Sequence, residues 1–216
     1  MWRINYGHEE TYRNWIDPDK LDLTCTNEHF VSFIGDFYFI GLSMSSAVVP
    51  RLADTYGRKA PFIVSMLVQT LAYCLIIFSK NLAFTIFLYF IVGMCAAGRI
   101  VVGVMYLAEF IPQRHLALVI TMLFCADAFT MVLQAIYYSI FQDWRFLHLF
   151  GILCQFTLLF LLGWIPESPK FYYANRMWIQ FRESLKFISY FNESMLTSEE
   201  IDNLNFETEV VSFAKF

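Results

Sequence analysis

Three charged side chains, Asp36, Arg99 and Asp127, stand inside long apolar runs. A formal charge at the centre of a hydrocarbon layer costs about 2.5 to 3.5 kcal/mol on insertion scales, so each needs a partner, water or a function. Arg99 lies ten positions before Glu109, and Asp127 eleven after Leu116. At a rise of about 1.5 Å per residue, both fall about 15 Å from the same ends of consecutive antiparallel helices. Their shared depth and opposite signs predict an ion pair in mid-membrane. Asp127, Thr130, Gln134 and Tyr138 recur at helical spacing as a polar stripe, and Arg99, Gly103 and Tyr106 do the same on the preceding run. Three readings stay open. The stripe binds a polar or charged solute through Arg99, Asp127, Gln134 and Tyr138; Asp127 exchanges a proton; or the pair only locks two helices together. Asp36 lies within two turns of its helix end and can reach interfacial water, which makes it the weakest candidate.

Other chemistry finds no foothold. There is no Gly-rich loop ahead of a Lys to cradle phosphate, no nucleophile elbow and no ligand spacing among the 4 histidines. An enzyme is not expected. Cys74, Cys95, Cys125 and Cys154 sit in apolar runs as small hydrophobes, Cys25 stands alone, and no two cysteines have zinc or redox spacing. No metal and no cofactor is expected. With 15 basic against 19 acidic residues the net charge is −4, which disfavours nucleic acid as a partner.

The elements that must hold the charges follow from composition. The chain has 216 residues, 58% of them hydrophobic and 16% charged, with 24 Phe. No water-soluble globule of this size hides so much apolar side chain. A bilayer core about 30 Å thick takes about 20 apolar residues of helix. Five runs qualify, 30–49, 61–78, 82–107, 116–141 and 146–165, each uninterrupted or carrying one formal charge. An all-α polytopic membrane protein is therefore expected, with a polar segment over 1–29 and a polar tail over 166–216. Basic residues choose the orientation. Arg51, Arg58, Lys59 and Arg114 mark two loops on one side, and Lys170, Arg176, Arg182 and Lys186 crowd the tail. The opposite loops carry Lys80 and Arg145. The amino terminus is expected outside and the carboxyl terminus in the cytoplasm. An outside terminus calls for a preceding helix or signal, and 1–29 contains neither.

The first cytoplasmic loop reads Pro50-Arg51-Leu52-Ala53-Asp54-Thr55-Tyr56-Gly57-Arg58-Lys59. Gly57 permits a tight turn, and Asp54 can face a helix amino terminus. The order resembles the G-x-L-A-D-x-x-G-R-K signature of the major facilitator superfamily, with Pro50 where that pattern has Gly. Past the last run, Pro166-Glu167-Ser168-Pro169-Lys170-Phe171 is similar to the P-E-S-P-R-[WF] box of sugar porters and organic-ion transporters. Leu21 to Cys25, Gly93 to Phe110 and Trp144 to Leu147 resemble segments of the organic cation and anion transporters, so the likeness covers about 21–192.

The resemblance implies a partial major facilitator amino-terminal bundle, its second to sixth helices, with the first helix and the other half outside these residues. It implies a cytoplasmic gating motif of Asp54, Gly57, Arg58, Lys59, Glu109 and Glu167, with ion pairing among Arg58, Glu109 and Glu167. Leu116 stands where the family has an arginine after the fourth helix, and Arg114 is a nearby substitute. The implied function is transmembrane transport of small organic solutes, organic ions foremost, at the plasma membrane. Implied partners are the lipid bilayer, a small organic solute, and the missing carboxyl-terminal half or another transporter chain. The alternative is a truncated membrane protein that transports nothing and binds or regulates a partner transporter.

Packing and surface features complete the expectation. Gly41 with Ser45, and Gly93 with Ala97, have the small-x-x-x-small spacing of close helix crossings. Trp144 and Trp164 at span ends are expected at lipid headgroups. A surface helix is predicted over 177–191, with Trp178, Phe181, Leu185 and Ile188 on one side. A shorter helix is predicted after Thr197. Asn192-Glu193-Ser194 matches a glycosylation sequon that the inside location makes an accident.

Overall fold

The computed structural model describes residue 21, residues 28–141 and 144–192, and residue 201. Eight α-helices and one π turn occupy the described residues, without a strand. In chain order they are α1 (Glu28–Tyr56), α2 (Lys59–Phe78), α3 (Leu82–Ala97), the π turn (Gly98–Val102), α4 (Gly103–Phe110), α5 (Gln113–Ile140), α6 (Trp144–Trp164), α7 (Pro169–Ala174) and α8 (Trp178–Asn192). Five helical stretches are long and apolar enough to cross a membrane: α1, α2, the continuous Leu82–Phe110, α5 and α6. The chain is a multi-pass, all-α membrane protein. Exposed Phe39, Phe87, Phe129, Leu153 and Phe160 are side chains that hydrocarbon solvates and water does not.

The core lies where α1, α2 and α3 meet. Gly41 faces the backbone of Phe90 and Met94, and Gly93 faces the backbone of Tyr38, so that two helices touch main chain to main chain. Ser45 and Ala97, one turn further on, are 2% and 0% exposed, which shows that the small-residue spacing is used as expected. Ala72 and Ile76 of α2 then close on Leu88 and Val92 of α3. Between α2 and α6 the tie is polar: Thr70 Oγ1 donates to Gln155 Oε1 at 3.2 Å.

Several boundaries differ from the apolar runs. α1 continues through Pro50 to Tyr56, so the connection to α2 shrinks to Gly57 and Arg58. Ala53, 1% exposed, is packed inside that last turn, and the helix continues although Pro50 cannot donate its backbone hydrogen bond. The third run is interrupted by the π turn at Gly98–Val102, which no periodicity announced. Trp144 is 6% exposed and packs edge-on against His148 (centroids 5.6 Å), which itself meets Tyr73 at 4.9 Å; it is not a headgroup anchor. His148, one turn along α6 from this indole, carries the ring contact to Tyr73 of α2, whereas Trp164 stays 77% exposed. Cys95 is buried, and Cys125 and Cys154 lie exposed on the spans as free thiols. Cys25, the sequon serine and, apart from the helical and buried Ile201, the helix predicted after Thr197 lie outside the described residues.

Candidate functional site

Glu167 organises one end of the bundle. α2 begins at Lys59 with no side-chain cap from its own neighbourhood, leaving backbone donors unsatisfied. The Glu167 carboxylate supplies the acceptors: the Arg58, Lys59 and Ser168 backbone N–H groups each donate to it at 3.0 Å. A carboxylate at a helix amino terminus also opposes the positive end of the helix dipole. Asp54, the sequence candidate for that role, is instead largely exposed and only meets Arg58 at 3.6 Å. Gly57 explains how the acid gets so close. Its φ is +93°, and a Cβ there would lie 2.6 Å from Glu167 Oε2. No other residue type fits both the backbone and the space.

The Arg58 side chain turns the other way. Its guanidinium meets Glu109 Oε1 at 3.0 Å and donates to Met105 O at 3.4 Å, tying the α1–α2 turn to the end of α4. Glu109 is 5% exposed, and Arg58 is the cation that it meets there. Arg58 thus reaches Glu109 by side chain and Glu167 only by main chain, which corrects the three-way ion pairing implied by resemblance: among the described residues Glu167 accepts backbone N–H groups and forms no ion pair. Removing one partner strands a desolvated charge. A double-mutant cycle with Arg58→Gln and Glu109→Gln, read by unfolding in detergent, is expected to give a coupling of about 1–2 kcal/mol. A coupling near zero would mean that the contact is incidental.

Three contacts missed by the sequence reading close the cluster. The Tyr106 hydroxyl donates to Pro166 O, and Lys59 Nζ donates to Ile165 O. Ser184 of α8, fully buried, donates to Glu167 O at 3.1 Å, so the amphipathic helix predicted over 177–191 is docked onto the box. Phe181, Leu185 and Ile188 are half-buried on its inner side. Burial, and then the nearby Glu167 carboxylate, push the Tyr172 phenol of α7 above its ordinary value, so it stays neutral beside the acid. A Tyr within reach of a helix end and a Ser opposite a proline box were visible as residues, but their partners are carbonyls, and no sequence pattern names a carbonyl. Arg114 lies exposed at the start of α5 and forms no ion pair among the described residues.

The mid-membrane candidates are not brought together. Among the described residues the ion pairs are Arg58 with Asp54 and Arg58 with Glu109; Arg99 and Asp127 do not pair. Both are exposed, Arg99 on the π turn and Asp127 on α5. The reason is the placement of α5, which buries none of its 28 residues against the other helices. Gln134 and Tyr138 share that exposed helix with Asp127.

The family profile described as "Sugar (and other) transporter" matches residues 9–212. The chain is 28% identical over 153 residues to human "Organic cation/carnitine transporter 2", covering 70% of this chain and 27% of that one. It is 22% identical over 171 residues to "Solute carrier family 22 member 2" of Rattus norvegicus, 79% of this chain and 31% of the relative. It is also 29% identical over 141 residues to "Niacin transporter NiaP" of Acinetobacter baylyi, 64% of this chain and 32% of that protein. The chain spans about a third of the length of these curated relatives. With the Glu167 and Arg58 cluster standing where the transporter motifs fall, the match extends beyond apolar composition: the chain belongs to the sugar (and other) transporter family and is organic-cation-transporter-like within the major facilitator superfamily.

Proposed function

We propose that the chain serves transmembrane transport of small organic ions, as part of a secondary transporter or facilitator of the plasma membrane. The observation that carries this reading is the cluster in which Glu167 caps α2 while Arg58 holds Glu109. Such a latch holds α1, α2, α4 and the segment after α6 as one body at one membrane face, which is what rocking of a half-transporter about a central site requires. On the basic-loop argument that face is cytoplasmic, the amino terminus is outside and the carboxyl terminus inside. Arg99, Asp127, Gln134 and Tyr138 are the substrate or coupling groups, and Asp54, Gly57, Arg58, Lys59, Glu109 and Glu167 the gate. The test is uptake of radiolabelled organic cations, organic anions and sugars at two pH values, in cells expressing the complete coding sequence that contains these residues. Uptake of an organic ion above that of mock-transfected cells is expected. Uptake of none, with the protein present at the surface, contradicts the reading.

A second reading draws on α5, none of whose residues is buried and most of whose apolar surface is uncovered. There the chain transports nothing itself and binds a partner transporter through that helix. Copurification of a twelve-helix partner, with no uptake by cells expressing this chain alone, favours it.

A further inference from the structure

The π turn gives Arg99 a mounting unlike that of any other charge in the spans. Gly98 packs so closely on Ser65 of α2 that an added Cβ would overlap the hydroxyl, and a Cβ at Gly103 would come within 2.8 Å of Phe62. Ala97 and Val102, on either side of Arg99, are both 0% exposed. The backbone that carries Arg99 is therefore clamped, while its side chain is exposed and has neither an ion pair nor a hydrogen bond among the described residues. A lysine in that position could shed its proton to escape the cost of a charge in hydrocarbon. A guanidinium cannot, and it presents five N–H donors in a planar fork. π turns inside α-helices are frequent at functional sites, since the extra residue re-aims side chains that a regular helix would place elsewhere. The nearest matching charge by depth, Asp127, stays apart from it, so the helix-locking role is unfilled. What fits an unpaired, forked cation on a clamped backbone is an oxyanion, and a planar carboxylate is the one that a small organic solute most commonly carries.

We propose that Arg99 is the anion-recognising group of the solute site, so that the transported solute carries a carboxylate. The proposal rests on the transport reading and narrows its substrate class. The guanidinium makes two parallel hydrogen bonds to the carboxylate oxygens, an interaction that a neutral isostere cannot reproduce.

The test uses the purified chain in phosphatidylcholine nanodiscs and three radiolabelled probes: 3,3-dimethylbutyrate, its neutral isostere 3,3-dimethylbutanamide, and choline. Wild type is expected to bind the acid at least about tenfold more tightly than the amide. Arg99→Gln is expected to remove that preference, and Arg99→Lys to keep part of it. Asp127→Asn, with the guanidinium intact, is expected to retain the preference for the acid. Equal binding of acid and amide by wild type, with choline bound, overturns the Arg99 proposal and leaves the transport reading standing. So does acid binding by Arg99→Gln within about twofold of wild type. A fall in thermal stability of Arg99→Gln without any acid preference in wild type assigns Arg99 to a carboxylate of the protein itself, and this too overturns the proposal. Binding of none of the three probes counts against the transport reading as well.

Discussion

Replacing Glu167 with Ala is expected to destabilise the chain by about 3 kcal/mol in detergent unfolding. One carboxylate accepts from the backbone N–H groups of Arg58, Lys59 and Ser168, all at 3.0 Å. Hydrogen bonds to a charged acceptor are worth about 1.5–3 kcal/mol each, and three on one group share the loss, so the effect falls well short of their sum. Glu167→Gln is expected to cost less but not nothing. Its amide keeps one acceptor oxygen and turns an NH2 toward donors. Any weakening of α8 docking in that variant has to pass through the main chain, because Ser184 donates to the Glu167 main-chain carbonyl, which the substitution leaves in place. Faster proteolysis within α8 would report this. Stability within about 0.5 kcal/mol of wild type would show that solvent caps α2 equally well.

Gly93→Val is expected to be more damaging still, with loss of the α1–α3 crossing and little folded protein recovered. A Cβ at position 93 would overlap Tyr38 O and approach Tyr38 Cα at 3.1 Å, and backbone atoms cannot rotate aside. Overpacking of a rigid contact costs about 1–3 kcal/mol for a small insertion, so Gly93→Ala is expected near the upper end and Val beyond it. Gly151 supplies the control. Nothing lies within 4 Å of a Cβ built there, and Gly151→Ala in mid-α6 is expected to stabilise by up to about 1 kcal/mol through helix propensity alone. Thermal melts of the three variants in one detergent decide between a packing cause and a general intolerance of larger residues. Equal losses at 93 and 151 would remove the close-contact explanation.

The helices were legible in the sequence because hydrocarbon imposes a length, and apolar runs bounded by charge report it directly. The α1–α3 crossing was legible as well, since Gly41, Ser45, Gly93 and Ala97 are small for a reason that spacing alone reveals. The cap on α2 was not. Glu167 lies more than a hundred residues from Arg58, and a sequence shows local acids such as Asp54 before distant ones. The π turn escaped because one extra residue per turn leaves no trace in a uniformly apolar run; only Gly98 against Ser65 gives the contact that accompanies it. The Arg99–Asp127 pair failed for a different reason. Equal depth fixes one coordinate of a side chain, while rotation about the helix and the packing of α5 fix the others.

The arrangement stands or falls on which ends of the helices share a membrane face. Single cysteines placed at the exposed positions 51, 80 and 170 of a cysteine-free chain, treated with a membrane-impermeant maleimide before and after permeabilisation, measure this directly. Positions 51 and 170 are expected to label only once the membrane is opened, and position 80 without opening. Labelling of 51 and 170 from opposite sides would contradict it, since Glu167 could not then reach the start of α2.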